Sequence, residues 1–158
     1  MGAGKTTLGK QLSEKLSIPF IDSDQEIEKK MNKTIVQLFE DLGESKFRVL
    51  ESDFIRTFSK TSSFILATGG GLPCFFDNIL FLNELGLTIY LKTSSKILTN
   101  RLLNDDGIRP LIKGKNKEEL NDFITLNLSK RESIYEKSKF ILDESHQDID
   151  SILQIINE

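Results

Sequence analysis

The first residues able to do chemistry stand at the very start, in "MGAGKTTLGKQLSEKL". A phosphate-binding loop has the pattern G-x-x-x-x-G-K-[ST], set between a strand and a helix. Gly4, Lys5 and Thr6 supply its second half, and the first glycine of the pattern would fall ahead of Met1. In such a loop Gly2 and Gly4 let the backbone curl so that N–H groups face phosphate oxygens. A helix starting near Lys5 adds the positive end of its dipole. Lys5 would reach the β- and γ-phosphates, and Thr6 would set its hydroxyl on Mg2+. Taken alone, the same residues also fit an ordinary glycine-rich turn before a helix. A start codon set too far downstream accounts most simply for the half pattern. An apolar strand and a glycine are then expected upstream, and an in-frame stop there would exclude them.

Further along, "DSD" places Asp22 and Asp24 two residues apart, on one side of the chain wherever it is extended. One carboxylate could serve Mg2+ through water while the other accepts a hydroxyl proton, the two tasks phosphoryl transfer leaves to carboxylates. The same residues would also cap the helix that "QEIEKK" begins. "GESKFRVLE" sets Arg48 beside Phe47 with Glu51 three residues on, a spacing that also suits a surface ion pair of a few tenths of a kcal/mol. The glycines Gly69, Gly70 and Gly71 of "TGGG" would let backbone approach a ligand closely. Three in succession are costly in backbone entropy for a plain turn. "IRPL" holds Arg109 rigidly before Pro110 in a polar loop, suited to a lid that brings charge onto a phosphate. "KRESIY" puts Arg131 and Tyr135 on one helix face, as a charged helix surface also would.

Alternating elements must position these groups. Leu8, Leu12 and Leu16 mark the helix after the loop, and "IPFIDSD" reads as a strand ending in its carboxylates. Ile35, Leu38, Phe39 and Leu42 mark a helix that Gly43 ends, and Phe47, Leu50, Phe54 and Phe58 continue at helical spacing. "SFILATGGG" and "LGLTIYLKT" read as strands, with a helix over about 94–104 after the second. A mobile loop over about 105–116 precedes a helix running from Leu120 through Tyr135. "KFIL" is a short strand, and Ile149, Ile152, Leu153 and Ile156 mark the last helix. Strands alternating with helices predict an α/β fold with a parallel sheet covered on both faces. Ligands of such sheets bind at the carboxyl ends of the strands, where Asp22, Asp24 and Gly69–Gly71 fall.

In this order and spacing, "GAGKTT", "FIDSDQEIE", "TIVQLFEDLGESKFRVLE", "TGGG", "RPL" and "RESIY" resemble the shikimate kinase family over almost the whole chain. The resemblance implies a small P-loop kinase of the nucleoside-monophosphate-kinase type, a single domain over 1–158. Its parallel sheet has strand order 2-3-1-4-5, flanked by helices, and the first, central strand is missing from this chain. The implied reaction moves the γ-phosphoryl of ATP to the 3-hydroxyl of shikimate, with Mg2+ as cofactor, in aromatic amino acid biosynthesis. The resemblance implies catalytic roles for Lys5, Asp24 and Arg109. It places shikimate against Asp24, Arg48, Gly69, Gly70, Gly71 and Arg131, with Phe39, Phe47 and Pro110 as an apolar wall. It places the nucleotide against Gly2, Ala3, Gly4, Lys5, Thr6, Thr7, Arg101 and Arg109. Thr6 and, through water, Asp22 would serve the metal. Planar guanidinium groups suit the carboxylate of shikimate.

Bulk properties bound the alternatives. The 158 residues are 38% hydrophobic, enough for one core, and the net charge of −3 argues against a general nucleic-acid binder. No apolar run approaches the roughly 18 residues of a membrane span, and no signal peptide is visible. Cys74 is the one cysteine and His146 the one histidine, so neither an internal disulfide nor a Cys/His metal site is expected. A cytoplasmic monomer acting on small molecules is the expectation. A gluconate-type P-loop kinase, or a non-catalytic module binding shikimate or nucleotide, remains the alternative.

Overall fold

The computed structural model describes residues 2–104 and 114–157. Helix α1 (Lys5–Leu16) leads to strand β1 (Phe20–Asp22) and helix α2 (Ser23–Met31). The strand is shorter than expected because Asp22 turns to cap α2. Its Oδ1 accepts the N–H groups of Asp24 and Gln25 at 3.1 and 3.4 Å. Asp24 therefore rides on the first turn of a helix, not on a strand beside Asp22.

Helix α3 (Ile35–Ile55) opens with a capping box. Thr34 Oγ1 accepts the Gln37 N–H at 3.2 Å, and Gln37 Oε1 accepts the Thr34 N–H at 2.9 Å. Gly43 breaks α3 as anticipated, at φ 74° and ψ 166°, where only glycine fits without strain. The second segment resumes at once and stops before Phe58. Strand β2 (Ile65–Ala67) follows, then a 3-10 turn (Leu72–Cys74) and helix α4 (Asn78–Leu85), which the sequence reading did not assign. Strand β3 (Ile89–Leu91), helix α5 (Ser95–Leu103), helix α6 (Lys117–Tyr135), strand β4 (Phe140–Leu142) and helix α7 (Ile149–Asn157) complete the order.

The strands form two parallel pairs. β1 runs beside β2, with Asp22 opposite Ala67, and β3 runs beside β4, with Leu91 opposite Leu142. These are pairs 2-3 and 4-5 of the expected order. Among the described residues no strand joins them. Between β2 and β3 lies a cavity of about 810 Å3, walled by Leu12, Ile65, Ala67, Ile89 and Leu91 among others. It lies where the middle strand of order 2-3-1-4-5 would run.

Helical faces close the core around these pairs. Leu12 of α1, Leu91, Leu142 and Ile152 of α7 form one buried cluster. Leu98 and Leu102 of α5 meet Leu120 and Ile124 of α6 in a second. Ile27, Leu38 and Phe47 join α2 to α3, and Ile55, Leu72 and Leu82 join α3 to α4. Burial of each such side chain contributes roughly 1.5–3 kcal/mol. No helix among the described residues is long and apolar enough to cross a membrane.

Candidate active site

The register of β1 against β2 decides where the chemistry falls. With Asp22 opposite Ala67, the residues just beyond both strands come level. Ser23, fully buried, accepts the Gly69 N–H at 2.8 Å, which ties the start of α2 to the glycine bend. Each of the three glycines then meets a different functional side chain. At Gly69 a Cβ would run into the Asp24 carboxylate, whose Cγ would be 3.2 Å away. At Gly70 it would stand 3.5 Å from the Tyr135 hydroxyl and 3.7 Å from Arg131 Nη1. At Gly71 it would overlap the Arg48 guanidinium, 2.6 Å from Cζ and 2.7 Å from Nη2. None of the three has a positive φ. Glycine is needed at Gly69 and Gly71 because the Asp24 and Arg48 side chains from α2 and α3 press onto that backbone, while at Gly70 the α6 side chains stand at ordinary contact distance.

Arg48 is held on all sides. Its Nη1 donates to Glu51 Oε2 at 2.7 Å, and its Nη2 donates to Glu44 Oε1 at 2.9 Å. Phe75, Phe39 and Phe47 have ring centroids 4.6, 5.3 and 5.5 Å from its Cζ. Arg48 and Glu51 are only 7% and 2% exposed, so the surface ion pair that their spacing allowed is in fact a buried one. Burial pushes the Glu51 carboxyl up, against the pull of Arg48. A spacing of three cannot report this, because Gly71 and Phe75, which close over Arg48, lie far off in sequence.

The phosphate end of the site is built on the α1 N-terminus. Gly2 and Gly4 have φ of 70° and 88°, the left-handed values the loop was expected to need. The Thr6 hydroxyl donates to Asp22 Oδ2 at 3.3 Å, so the two expected metal residues meet. Arg101 Nη1 donates to the Gly2 carbonyl at 3.2 Å, which places that arginine beside the loop. Ala3 packs between the first two core clusters, and Thr7 is exposed. Burial raises the Asp24 carboxyl above its ordinary value; Asp22 adds to the rise and Lys5 opposes it. Lys5 and Asp24 thus feel each other's charge. Arg109 and Pro110 lie outside the described residues.

Sequence reasoning missed Ser23, Glu44 and Phe75. Ser23 stands inside "DSD", where the flanking carboxylates drew attention, and only the strand register gives it a role. Phe75 lies four residues past the glycines with no period to mark it.

A lysine and a threonine on a left-handed glycine turn, opening a helix beside the carboxyl ends of parallel strands, are the means by which P-loop kinases hold a nucleotide. Fold and site together define that class. Comparison with known proteins narrows it. The family model described as shikimate kinase matches residues 1–158, and the chain belongs to the shikimate kinase family. It is 40% identical over 162 residues to the shikimate kinase of Bacteroides thetaiotaomicron, covering 100% of this chain and 93% of that one. It is 44% identical over 141 residues to that of Bacteroides fragilis, covering 89% and 79%. The crystal structure of the Bacteroides thetaiotaomicron enzyme superposes with a TM-score of 0.91 at 39% identity, covering 99% of this chain and 92% of that chain. The Acinetobacter baumannii shikimate kinase, solved in complex with shikimate, gives 0.83 at 36% identity, covering 99% and 88%.

Proposed function

We propose that this chain, as a monomeric cytoplasmic domain over 1–158, transfers the γ-phosphoryl of ATP to the 3-hydroxyl of shikimate. The observation that carries the reading is the meeting of Asp24, Arg131 and Arg48 on the Gly69–Gly71 bend. Two arginines there suit a small carboxylate. Each charge-assisted hydrogen bond contributes about 1.5–3 kcal/mol. Glu51 and the three rings fix Arg48 before the substrate arrives, which lowers the ordering cost of binding.

Asp24 then faces the alcohol. It accepts the hydroxyl proton as the alcohol oxygen bonds to the γ-phosphorus and the bond to the β-phosphate oxygen breaks, releasing ADP. A buried carboxylate with a raised pKa is a stronger base than a free one, which suits this task. Lys5 and the N–H groups of the Gly2–Gly4 turn hold the phosphates, Arg101 flanks the nucleotide, and Arg109 brings positive charge to the moving phosphoryl group. Phe39, Phe47 and Pro110 wall the ring of the acid.

The Thr6 hydroxyl and Asp22 carboxylate fit Mg2+, since both are oxygen donors and they lie 3.3 Å apart. Mg2+ keeps several waters and phosphate oxygens, so it needs few protein ligands. Held by Thr6 and, through water, Asp22, Mg2+ would supply positive charge against the charge that develops in the transfer.

Coupled ADP release with shikimate, gluconate and nucleoside monophosphates as acceptors tests the reading. Release with shikimate alone is expected. Release with gluconate instead would overturn the acceptor, and shikimate binding without release would make the chain a binding module.

A further inference from the structure

Tyr135 has no part in the transfer as set out above, yet its hydroxyl donates to the Gly70 carbonyl at 2.6 Å. The Cys74 thiol approaches the same carbonyl at 3.8 Å, and the Tyr135 ring packs on Tyr90, with centroids 5.2 Å apart. Two peptides earlier, the Gly69 N–H donates to Ser23 Oγ. Ser23 in turn donates, at a longer 3.4 Å, to Asp24 Oδ1. A run of three glycines has more backbone freedom than any other tripeptide, and freedom is harmful where three side chains must bear on one point. Both pinning groups belong to the elements that carry the functional side chains. Ser23 precedes Asp24 on α2, and Tyr135 lies one turn after Arg131 on α6.

We propose that Tyr135 and Ser23 are positioning residues that lock the glycine bend, Tyr135 through the Gly70 carbonyl and Ser23 through the Gly69 N–H, so that Arg131 and Asp24 keep their distance to the acceptor. Tyr135 serves the arginine side and Ser23 the base side. Burial pushes the Tyr135 hydroxyl up to about 12, so it keeps the proton it donates at any physiological pH.

This inference rests on the shikimate reading of the bend, and the experiment separates the two. Wild type, Tyr135→Phe, Ser23→Ala and the double variant are assayed by ADP release, with KM measured for shikimate and for ATP. Denaturation midpoints show that each variant is folded. Tyr135→Phe deletes only a hydroxyl, and a roughly three- to tenfold rise in the shikimate KM is expected, with the ATP KM within about twofold. Ser23→Ala should lower kcat, because it frees the peptide against which Asp24 rests. The two effects on kcat/KM for shikimate should combine to less than their product, since both act on one bend. Variants that lose stability while keeping wild-type shikimate kinetics would overturn the inference and leave the two residues merely structural. A wild type that does not phosphorylate shikimate would instead overturn the reading beneath it.

Discussion

A single methyl group at Gly71 gives a sharp test of how the proposed acid-binding pocket is built. Gly71 has φ −82° and ψ −31°, which alanine adopts freely, so Gly71→Ala should on backbone grounds stabilise the chain by about 0.4–1 kcal/mol. The three atoms nearest to the added Cβ all belong to the Arg48 guanidinium, with Cζ at 2.6 Å and Nη2 at 2.7 Å. Overlap of that depth forces Arg48 or the bend to move. Arg48 has little room to yield, because Glu51 holds it from within and three rings surround it. Separating a buried pair such as Arg48–Glu51 costs about 3–5 kcal/mol, far above the backbone gain. Displacing the guanidinium should also forfeit about 1.5–3 kcal/mol of substrate binding, a rise in shikimate KM of roughly 10- to 150-fold. The control is the same substitution in an Arg48→Ala, Glu51→Gln background, which removes the obstacle and its buried partner charge together. There the methyl should cost less than about 1 kcal/mol, or stabilise. Urea denaturation and coupled ADP release measure both corners. An equal loss of stability from Gly71→Ala in the two backgrounds would refute the packing argument, since the damage would then not pass through Arg48.

Other outcomes follow from the same geometry. Asp24→Asn should lower kcat by roughly 10²–10⁴ while shikimate still binds, as isothermal titration would show; an unchanged kcat would remove the base. Because burial, then Asp22, raises the Asp24 carboxyl above 3.8, kcat should fall with acid along a limb lying above that value. The stability effect has the opposite sign. The folded chain favours protonated Asp24, so this contribution is lost as pH rises from 3.8 through the raised value, and Asp24→Asn should remove that step from midpoints measured across acidic pH. An apolar strand and glycine fused ahead of Met1 should occupy the cavity of about 810 Å3 between β2 and β3, raising the urea midpoint and tightening ATP binding. A fused strand that changes neither would show that the cavity does not accept one.

Much of the site was legible in the sequence because phosphate and carboxylate chemistry leaves marks at fixed spacings. The positive φ of Gly2 and Gly4 and the break at Gly43 follow from residue type alone, as do the α1 and α6 faces from their leucine periods. What stayed hidden depends on register. Two carboxylates at Asp22 and Asp24 look like a strand pair in sequence, yet the capping bond from Asp24 N–H to Asp22 Oδ1 ends the strand two residues short of Asp24 and sets the two on different elements. That same capping turn buries Ser23 against Gly69, a contact between residues 46 positions apart that no local pattern announces. Arg48 and Glu51 show the limit from the other side, since an i, i+3 pair reads alike on a surface or in a core, and the difference is made by Gly71 and Phe75 arriving from another element. The triple glycine was the one signal pointing across that distance. Three residues without side chains are stable in a packed chain only where other parts of the protein fill the space, and here Asp24, Arg131 and Arg48 fill it. The proposed acceptor site is therefore a consequence of the bend, and any change that gives the bend a side chain or frees its peptides should act on the acid before it acts on the nucleotide.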